Sequence, residues 1–571
     1  MNLEKKTPWA SHPSPQLKRD KYTILNGTWK CNGRDILVPF PPQSSLSGYE
    51  GTVEDVLEYE TIFQIPEEFS DERILLHFGA VDQIAEVWVN EVFLGKHEGG
   101  YLPFTYDVTR AVDRCGENKL RVRATDTLDH KYPYGKQTKK RGGMWYTPVS
   151  GIWKTVWLEN VPSNYIENVK ITPDLTGIDV EVILGGDAAE NGNIKFIAEI
   201  PLPDGAVLRH EFHTCETRIE LENPVLWDTE HPYLYNMNLS MKQGYKTENA
   251  CNDMEHRIDS VETYFALRTI EVKKVDGISR VCLNGKPIFM HGVLDQGYFQ
   301  DGIYLPLYEE EYEKDVLRMK DLGFNMLRKH IKIEPEAFYY ACDKHGMLVV
   351  QDMVNNGPYS WLFDTALPTV GFKKRKDTRC DIHGERQNIF REQMEETIAH
   401  LYNHPSIVVY TIFNEGWGQF HSDAMYDLAK QLDHTRLYDS TSGWFAQRKN
   451  DFDSEHIYFK VIDLKVKERP LFVSECGGYA LPVEGHLFNP DNEYGYGKCT
   501  DSEDLTKRIT DMYEKMLLPA IKKGACGCVY TQLSDVEDEV NGLYTYDRKV
   551  CKVVKDKMQA VAEKLYREIK A

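Results

Sequence analysis

Asn403-His404-Pro405-Ser406-Ile407-Val408-Val409-Tyr410-Thr411-Ile412-Phe413-Asn414-Glu415 decides how this chain is read. After Pro405, β-branched and aromatic residues run on for the length of one strand and stop at a polar tip. Such a run predicts a strand covered on both faces, the environment of a parallel sheet. A carboxylate directly after it sits at the C-terminal end of the strand, where α/β barrels keep their chemistry. Pro470-Leu471-Phe472-Val473-Ser474-Glu475-Cys476-Gly477-Gly478 repeats the pattern with a second glutamate. Two strand-tip glutamates, remote in sequence, predict an acid/base and a nucleophile that meet only if a closed fold joins their strands.

Outward from these runs, apolar strand-like segments recur at 288–294, 324–328, 347–352, 407–413, 436–439, 456–459, 470–474 and 526–532. Helical spacing of apolar residues fills much of the space between them, best at 309–322, 385–402 and 503–523, and 550–571 reads as an amphipathic closing helix. Eight strands alternating with mainly helical connections predict a C-terminal (β/α)8 TIM barrel over 271–571. Upstream the period is two. Ala85-Glu86-Val87-Trp88-Val89 and Leu120-Arg121-Val122-Arg123-Ala124, set between Gly, Pro and Asn turns, predict an N-terminal jelly-roll β-sandwich over 1–160. Asp179-Val180-Glu181-Val182 and Lys195-Phe196-Ile197-Ala198-Glu199-Ile200 continue it as an immunoglobulin-like β-sandwich over 161–270.

At 571 residues the chain is too long for one core, which fits this division. A net charge of -21 argues against nucleic acid and anionic membrane surfaces as partners, since both need Lys/Arg-rich faces. No apolar h-region follows Met1, and no segment has transmembrane length, so a cytoplasmic protein is expected. The twelve cysteines are scattered, and those inside apolar runs, such as Cys342, Cys526 and Cys528, read as buried thiols. Cys526-Gly527-Cys528 is too tight for zinc spacing, so no metal and no cofactor is predicted.

Taken together, these segments resemble glycoside hydrolase family 2, the β-galactosidases, β-glucuronidases and β-mannosidases. Leu25-Asn26-Gly27-Thr28-Trp29, Val87-Trp88-Val89-Asn90 and Ser150-Gly151-Ile152-Trp153 are similar to its sugar-binding-like first domain, and Asn403 to Glu415 is its acid/base motif nearly letter for letter. The resemblance implies a retaining exo-β-glycosidase with Glu415 as general acid/base and Glu475 as nucleophile. Such a mechanism needs carboxyl groups about 5–5.5 Å apart, the nucleophile ionised and its partner able to give up a proton.

The resemblance also assigns a pocket. Asn414 corresponds to the residue that bonds the sugar 2-OH, and Tyr458 to a tyrosine on the nucleophile, with His456 on the same rim. Arg328 and His330 end the second barrel strand, against nucleophile and substrate respectively. Asp295 follows the first strand, where relatives bind hydroxyls, while Asp352 and Trp444 are candidates for the pocket wall. Relatives carry a Trp on the last strand; here Tyr530 is the expected stacking platform. Read without the resemblance, a strand-end glutamate is commonly a surface residue, Arg328 an ion pair, and His330 or His456 a hydrogen-bonded rim histidine. Trp88, Trp153 and Trp157 read as sandwich core.

For the glycone, a β-glucuronidase of the usual kind is disfavoured, because Glu539-Val540-Asn541-Gly542-Leu543-Tyr544 lacks the family's Asn-x-Lys element. The β-mannosidase layout usually brings extra C-terminal domains. A compact β-galactosidase-like hydrolase is therefore the first expectation. Lys329 and Lys332, flanking His330, keep a uronide open, so a β-galacturonidase or β-glucuronidase is the runner-up. A catalytically silent carbohydrate-binding protein is the reading from another class. The expected partner is a small-molecule or oligosaccharide β-glycoside, and a homo-oligomer is left open.

Overall fold

The computed structural model describes residues 8–186, 194–245, 254–458 and 460–570. Nearest the N-terminus, antiparallel strands between Tyr22 and Val161 build a sheet of four and a sheet of six. In the six-stranded sheet Val56–Gln64, Glu117–Thr125 and Ile84–Val89 are neighbours although distant in sequence, the crossed-over order of a jelly roll. Leu120, Val122 and Ala124 are buried, while Lys119, Arg121 and Arg123 between them are half-exposed. That alternation delivers one apolar face to a core containing Trp29, Tyr59, Phe78 and Val87. Trp88 lies on the opposite face, with the Arg121 guanidinium 3.9 Å from its ring.

Among the described residues the second unit pairs a three-stranded sheet with a four-stranded one, the seven strands of a constant-type immunoglobulin sandwich. Ile171, Val180, Phe196 and Leu239 lie in its core.

The third unit carries eight parallel strands, numbered here as barrel strands: β1 Met290–Asp295, β2 Met326–Lys329, β3 Leu348–Asp352, β4 Ile407–Asn414, β5 Leu437–Ser442, β6 Asp453–Tyr458, β7 Leu471–Gly477 and β8 Ala525–Thr531. Hydrogen-bonded ladders run continuously from β5 through β1 and β8 to β6. Side chains bridge the remaining seam: Ser454 Oγ donates to Asp439 at 2.7 Å, and Ser442 Oγ lies 3.0 Å from His456 Nε2. Every residue of β4 and of β7 is buried, which is why both segments read as unbroken apolar runs rather than alternating ones. A hairpin, Ile270–Val275 with Ile278–Leu283, leads into β1 and shares a core with Leu294, Val350, Val409 and Phe472, plugging the end opposite the glutamates.

Among the described residues no helix joins β5 to β6 or β6 to β7. The closing helix spans Lys555–Lys570 and buries Met558, Val561, Ala562 and Leu565, one face at helical spacing; Ala571 lies outside the described residues. No helix among the described residues is long and apolar enough to cross a membrane.

Candidate active site

Glu415 and Glu475 face each other across the barrel mouth. Glu415 stands one residue beyond β4 with φ +53°, a left-handed conformation uncommon for a residue with a Cβ, followed by Gly416 at φ +72°. Its backbone N–H donates to Ser442 O at 2.9 Å, and Trp444 Nε1 donates to its carbonyl at 2.9 Å. Those two bonds hold the turn that leaves Glu415 at the rim. Its Oε1 lies 2.8 Å from His456 Nδ1, and Glu475 Oε2 lies 3.4 Å from the same nitrogen. One oxygen of each carboxylate and that nitrogen all lie within 4.8 Å of one another. Two carboxylate oxygens and an imidazole nitrogen at this spacing also suit a divalent ion such as zinc, in which case the ion would occupy both glutamates.

Glu475 is held as an anion. Tyr458 donates its hydroxyl to Oε2 at 2.5 Å, and Arg328 Nη1 donates to Oε1 at 3.3 Å. Burial pushes the carboxyl up, but His456, Arg328 and the Tyr458 hydroxyl outweigh it and hold Glu475 at about 2. The Glu415 side chain is 19 % exposed against 7 % for Glu475, so the two carboxyls differ in access to solvent. The arrangement offers a fixed anion on one side and a more accessible carboxyl on the other.

Arg328 is buried and organises the floor of the site. Nη2 donates to Asn414 Oδ1 at 2.9 Å, Nη1 to Ser474 O at 2.9 Å, and Nε to Asp352 at 3.0 Å. Asp352 Oδ2 lies 2.7 Å from His330 Nδ1. Burial lowers the His330 imidazole to about 4, so near neutrality it is uncharged and Nδ1–H donates to Asp352. Trp444 stands edge-on to His456, ring centroids 5.5 Å apart, in the wall next to Glu415. The structure thus gathers Asn414, Arg328, His330, Asp352, Trp444, His456 and Tyr458 around the two glutamates.

Three expected pocket residues lie elsewhere. Asp295 spends both oxygens inside the protein, one on Lys329 Nζ at 2.6 Å and the other on the Gly297 N–H at 2.8 Å. Lys332 is 1 % exposed and donates to Gly297 O, Tyr304 O and Glu334. Ile331 has φ +44°, and this turn carries Lys332 away from the direction set by β2. Lys329 is buried as well, on Asp295 and Glu334, so neither lysine beside His330 reaches the pocket. Tyr530 packs in the layer between barrel and helices, with its ring against Gly477. Its neighbour Thr531 faces the mouth, 3.0 Å from the Tyr458 hydroxyl, and strand alternation sends Tyr530 the other way.

Sequence reasoning missed a further part of the site, supplied by the jelly roll. Tyr134 donates to Gly357 O at 2.8 Å and accepts from Trp417 Nε1 at 3.2 Å. Trp145 packs edge-on to both Tyr359 and Trp417, with centroids 4.9 and 5.0 Å away. These rings fasten residues 130–147 onto the barrel and bring Lys136 to the mouth. Tyr146, on the same loop, donates to Glu539 at 3.0 Å, and Glu539 also accepts from Gln532. Tyr496 adds another ring 4.7 Å from Tyr458. These residues sit on irregular segments, where no periodicity announces them.

With the geometry in place, three family profiles match the chain: "Glycosyl hydrolase 2 galactose-binding domain-like" over 48–154, "Glycosyl hydrolases family 2" over 164–268, and "Glycosyl hydrolases family 2, TIM barrel domain" over 270–469. A β-galactosidase of Thermoanaerobacter pseudethanolicus is 25 % identical over 396 residues, 66 % of this chain and 47 % of that protein. The chain spans about half the length of the curated relatives it matches first. Among solved structures, a β-D-glucuronidase of Dictyoglomus thermophilum superposes with TM-score 0.73 at 18 % identity, covering 96 % of this chain and 98 % of its own. A family 2 β-galacturonidase of Eisenbergiella tayi superposes with TM-score 0.67 at 19 % identity, covering 96 % and 97 %. At such identities the superpositions speak for the fold alone. The three matched profiles, in the order jelly roll, sandwich and barrel, show that the chain belongs to glycoside hydrolase family 2.

Proposed function

We propose that this chain is a retaining exo-β-glycosidase that hydrolyses terminal β-linked sugars through a covalent glycosyl-enzyme. The observation that carries the reading is the 4.8 Å limit on the separation of the two carboxylate oxygens. Double displacement requires about 5–5.5 Å between the carboxyl groups, whereas an inverting pair stands about 6.5–9.5 Å apart to admit a water.

In the first step a Glu475 oxygen attacks the anomeric carbon while Glu415 protonates the departing glycosidic oxygen, releasing the aglycone alcohol. Bond formation turns Glu475 into a neutral ester, so the repulsion between the two carboxyls falls and Glu415 can take a proton from water. That hydroxide displaces Glu475 and yields the free sugar with its original anomeric configuration. Asn414 shares Arg328 with Glu475, which supports its amide as the donor to the sugar 2-OH.

The galacto-configured glycone expected from sequence and the uronide kept beside it both belong to this reaction class. Relatives by sequence named β-galactosidase and putative β-glucuronidase support the class equally. The galactoside reading rests on the missing Asn-x-Lys element after β8; the uronide reading now rests on Lys136 instead of Lys329 and Lys332.

A panel of p-nitrophenyl β-glycosides, with NMR of the first-formed anomer, tests the proposal. Glu475→Ala should lose nearly all turnover, and Glu415→Ala should retain more on aryl leaving groups that need little protonation. An inverted first product, or equal losses by Glu415→Ala on every leaving group, would overturn the assignment. A wild-type protein that binds sugars and turns none over would be the silent binder.

A further inference from the structure

Among the described residues, Lys154, Lys329, Lys332 and Lys552 are all engaged by acceptors of the protein. Lys154 donates to Tyr101 O and Glu334 O, Lys329 and Lys332 share Glu334, and Lys552 holds Asp535, Leu481 O and Val540 O. Lys136 is half-buried, yet among the described residues its ammonium makes no hydrogen bond and no ion pair within 4 Å.

The backbone fixes where Lys136 stands. Its carbonyl accepts from the Tyr146 N–H at 3.1 Å, and Tyr146 reaches Glu539 in the loop after β8. On its other side Gly135 has φ +64° and presses so close to the barrel that a Cβ there would meet Tyr101 Oη at 2.8 Å and Ile331 O at 3.0 Å. Ile331 directly follows His330. Lys136 is therefore strung between the end of β2 and the β8 loop, across the same mouth that holds Glu475. Its charge is felt on both sides: with burial the leading influence in each case, it helps hold His330 down and counteracts the upward push on Glu539.

Because the Lys136 ammonium has no acceptor or anion of its own among the described residues, an incoming carboxylate would pair with it without first displacing a protein partner. Glu539 is already engaged by Tyr146 and Gln532, and Glu475 by Tyr458 and Arg328. We propose that Lys136, carried into the barrel mouth by the jelly-roll loop, recognises the carboxylate of a β-linked uronic acid and makes this chain a uronide hydrolase. The inference rests on the glycosidase reading above and adds the substrate class to it. It also moves the specificity lysine from the barrel to the first domain.

The experiment compares kcat/KM for p-nitrophenyl β-D-galacturonide and β-D-glucuronide with that for the matching neutral β-D-galactoside and β-D-glucoside, in wild type, Lys136→Met and Lys136→Arg. Expected is a wild-type preference for a uronide, with the uronide-to-neutral ratio falling about 100-fold in Lys136→Met, mainly through KM, and recovering in part in Lys136→Arg. Which uronide is preferred reports the configuration at C4. A wild-type preference for the neutral sugar, or a parallel loss on charged and neutral substrates, overturns the role of Lys136 while leaving the glycosidase reading intact. Calorimetry of Glu475→Gln with free galacturonate, glucuronate and galactose reads the same contact without turnover. Uronate binding weakened by Lys136→Met, in a protein that hydrolyses nothing, would sink the glycosidase reading alone. Equal binding of acid and neutral sugar would sink the Lys136 proposal.

Discussion

Arg328 Nη2 donates to Asn414 Oδ1 at 2.9 Å. A guanidinium has only donors, so the amide oxygen must face it and the Asn414 NH2 is turned the other way as a donor. The same guanidinium holds Glu475 through Nη1 at 3.3 Å. One buried cation therefore orients both the nucleophile and a neutral donor beside it.

A donor aimed at the sugar 2-OH matters most when positive charge develops on the ring. Asn414→Ala should lower kcat and kcat/KM together, by about 100- to 1,000-fold, the usual loss on removing one transition-state donor. With a 2-deoxy glycoside, wild type and variant should converge. A loss of the same size on the 2-deoxy substrate would place Asn414 in the packing of Arg328 instead.

Tyr458→Phe removes a hydroxyl that lies 2.5 Å from Glu475 Oε2. That bond is one of the influences holding the carboxyl at about 2, so its loss must raise Glu475. The acidic limb of kcat/KM is then expected to move toward neutral pH in the variant, alongside a fall in rate. A slower enzyme with its acidic limb unmoved would assign the tyrosine to substrate contact.

Acid should unfold the protein in two overlapping stages. Burial holds His291 and His330 each at about 4, below the ordinary 6.5. The unfolded chain therefore takes up these protons first, and stability present above pH 6.5 is lost as pH falls toward 4. Each shift is worth on the order of 3 kcal/mol. Glu475, depressed from 4.5 to about 2, contributes stability that is full above pH 4.5 and is lost as pH falls further. The unfolding midpoint should decline steadily from pH 6.5 to 4, and His291→Gln should flatten part of that slope. Because Asp535, raised to about 6 by burial, works in the opposite direction over the same interval, the His291→Gln comparison decides: a profile identical to wild type would show that His291 accepts its proton in the folded state.

The barrel was legible where burial was complete. β4 and β7 are covered on both faces, so their sequences carry one unbroken apolar signal and place Glu415 and Glu475 at the rim. β6 starts three residues before its apolar signal, because Asp453, Ser454 and Glu455 are polar and half-exposed. Lys332 departs from its expected place because the left-handed turn at Ile331 is a backbone event that alternation cannot foresee. Tyr530 differs from its expected place by one residue of phase, since on β8 it is Thr531 that faces the mouth. Lys136 left no trace in the sequence at all. Its position depends on Gly135 meeting Ile331 and on aromatic contacts between domains, and such long-range packing has no local period.

Asp295, expected as a sugar ligand, belongs instead to a buried ion cluster, and this reassignment is testable. Lys329 Nζ binds Asp295 Oδ2 at 2.6 Å and Glu334 Oε1 at 2.8 Å, with the Phe338 ring 4.0 Å away. Glu334 keeps Lys332 and the Tyr312 hydroxyl if Lys329 is lost, but Asp295 keeps only the Gly297 N–H. Removing one partner of such a pair leaves an uncompensated buried charge, which costs about 3–5 kcal/mol. Lys329→Met should therefore lower stability to urea by that amount, and adding Asp295→Asn should recover part of it by deleting the stranded charge. Asp295→Asn alone should weaken folding more than it changes KM, because neither carboxylate oxygen is presented to the pocket. If that single variant instead raised KM more than tenfold at unchanged stability, Asp295 would have to turn from Lys329 toward the sugar during catalysis.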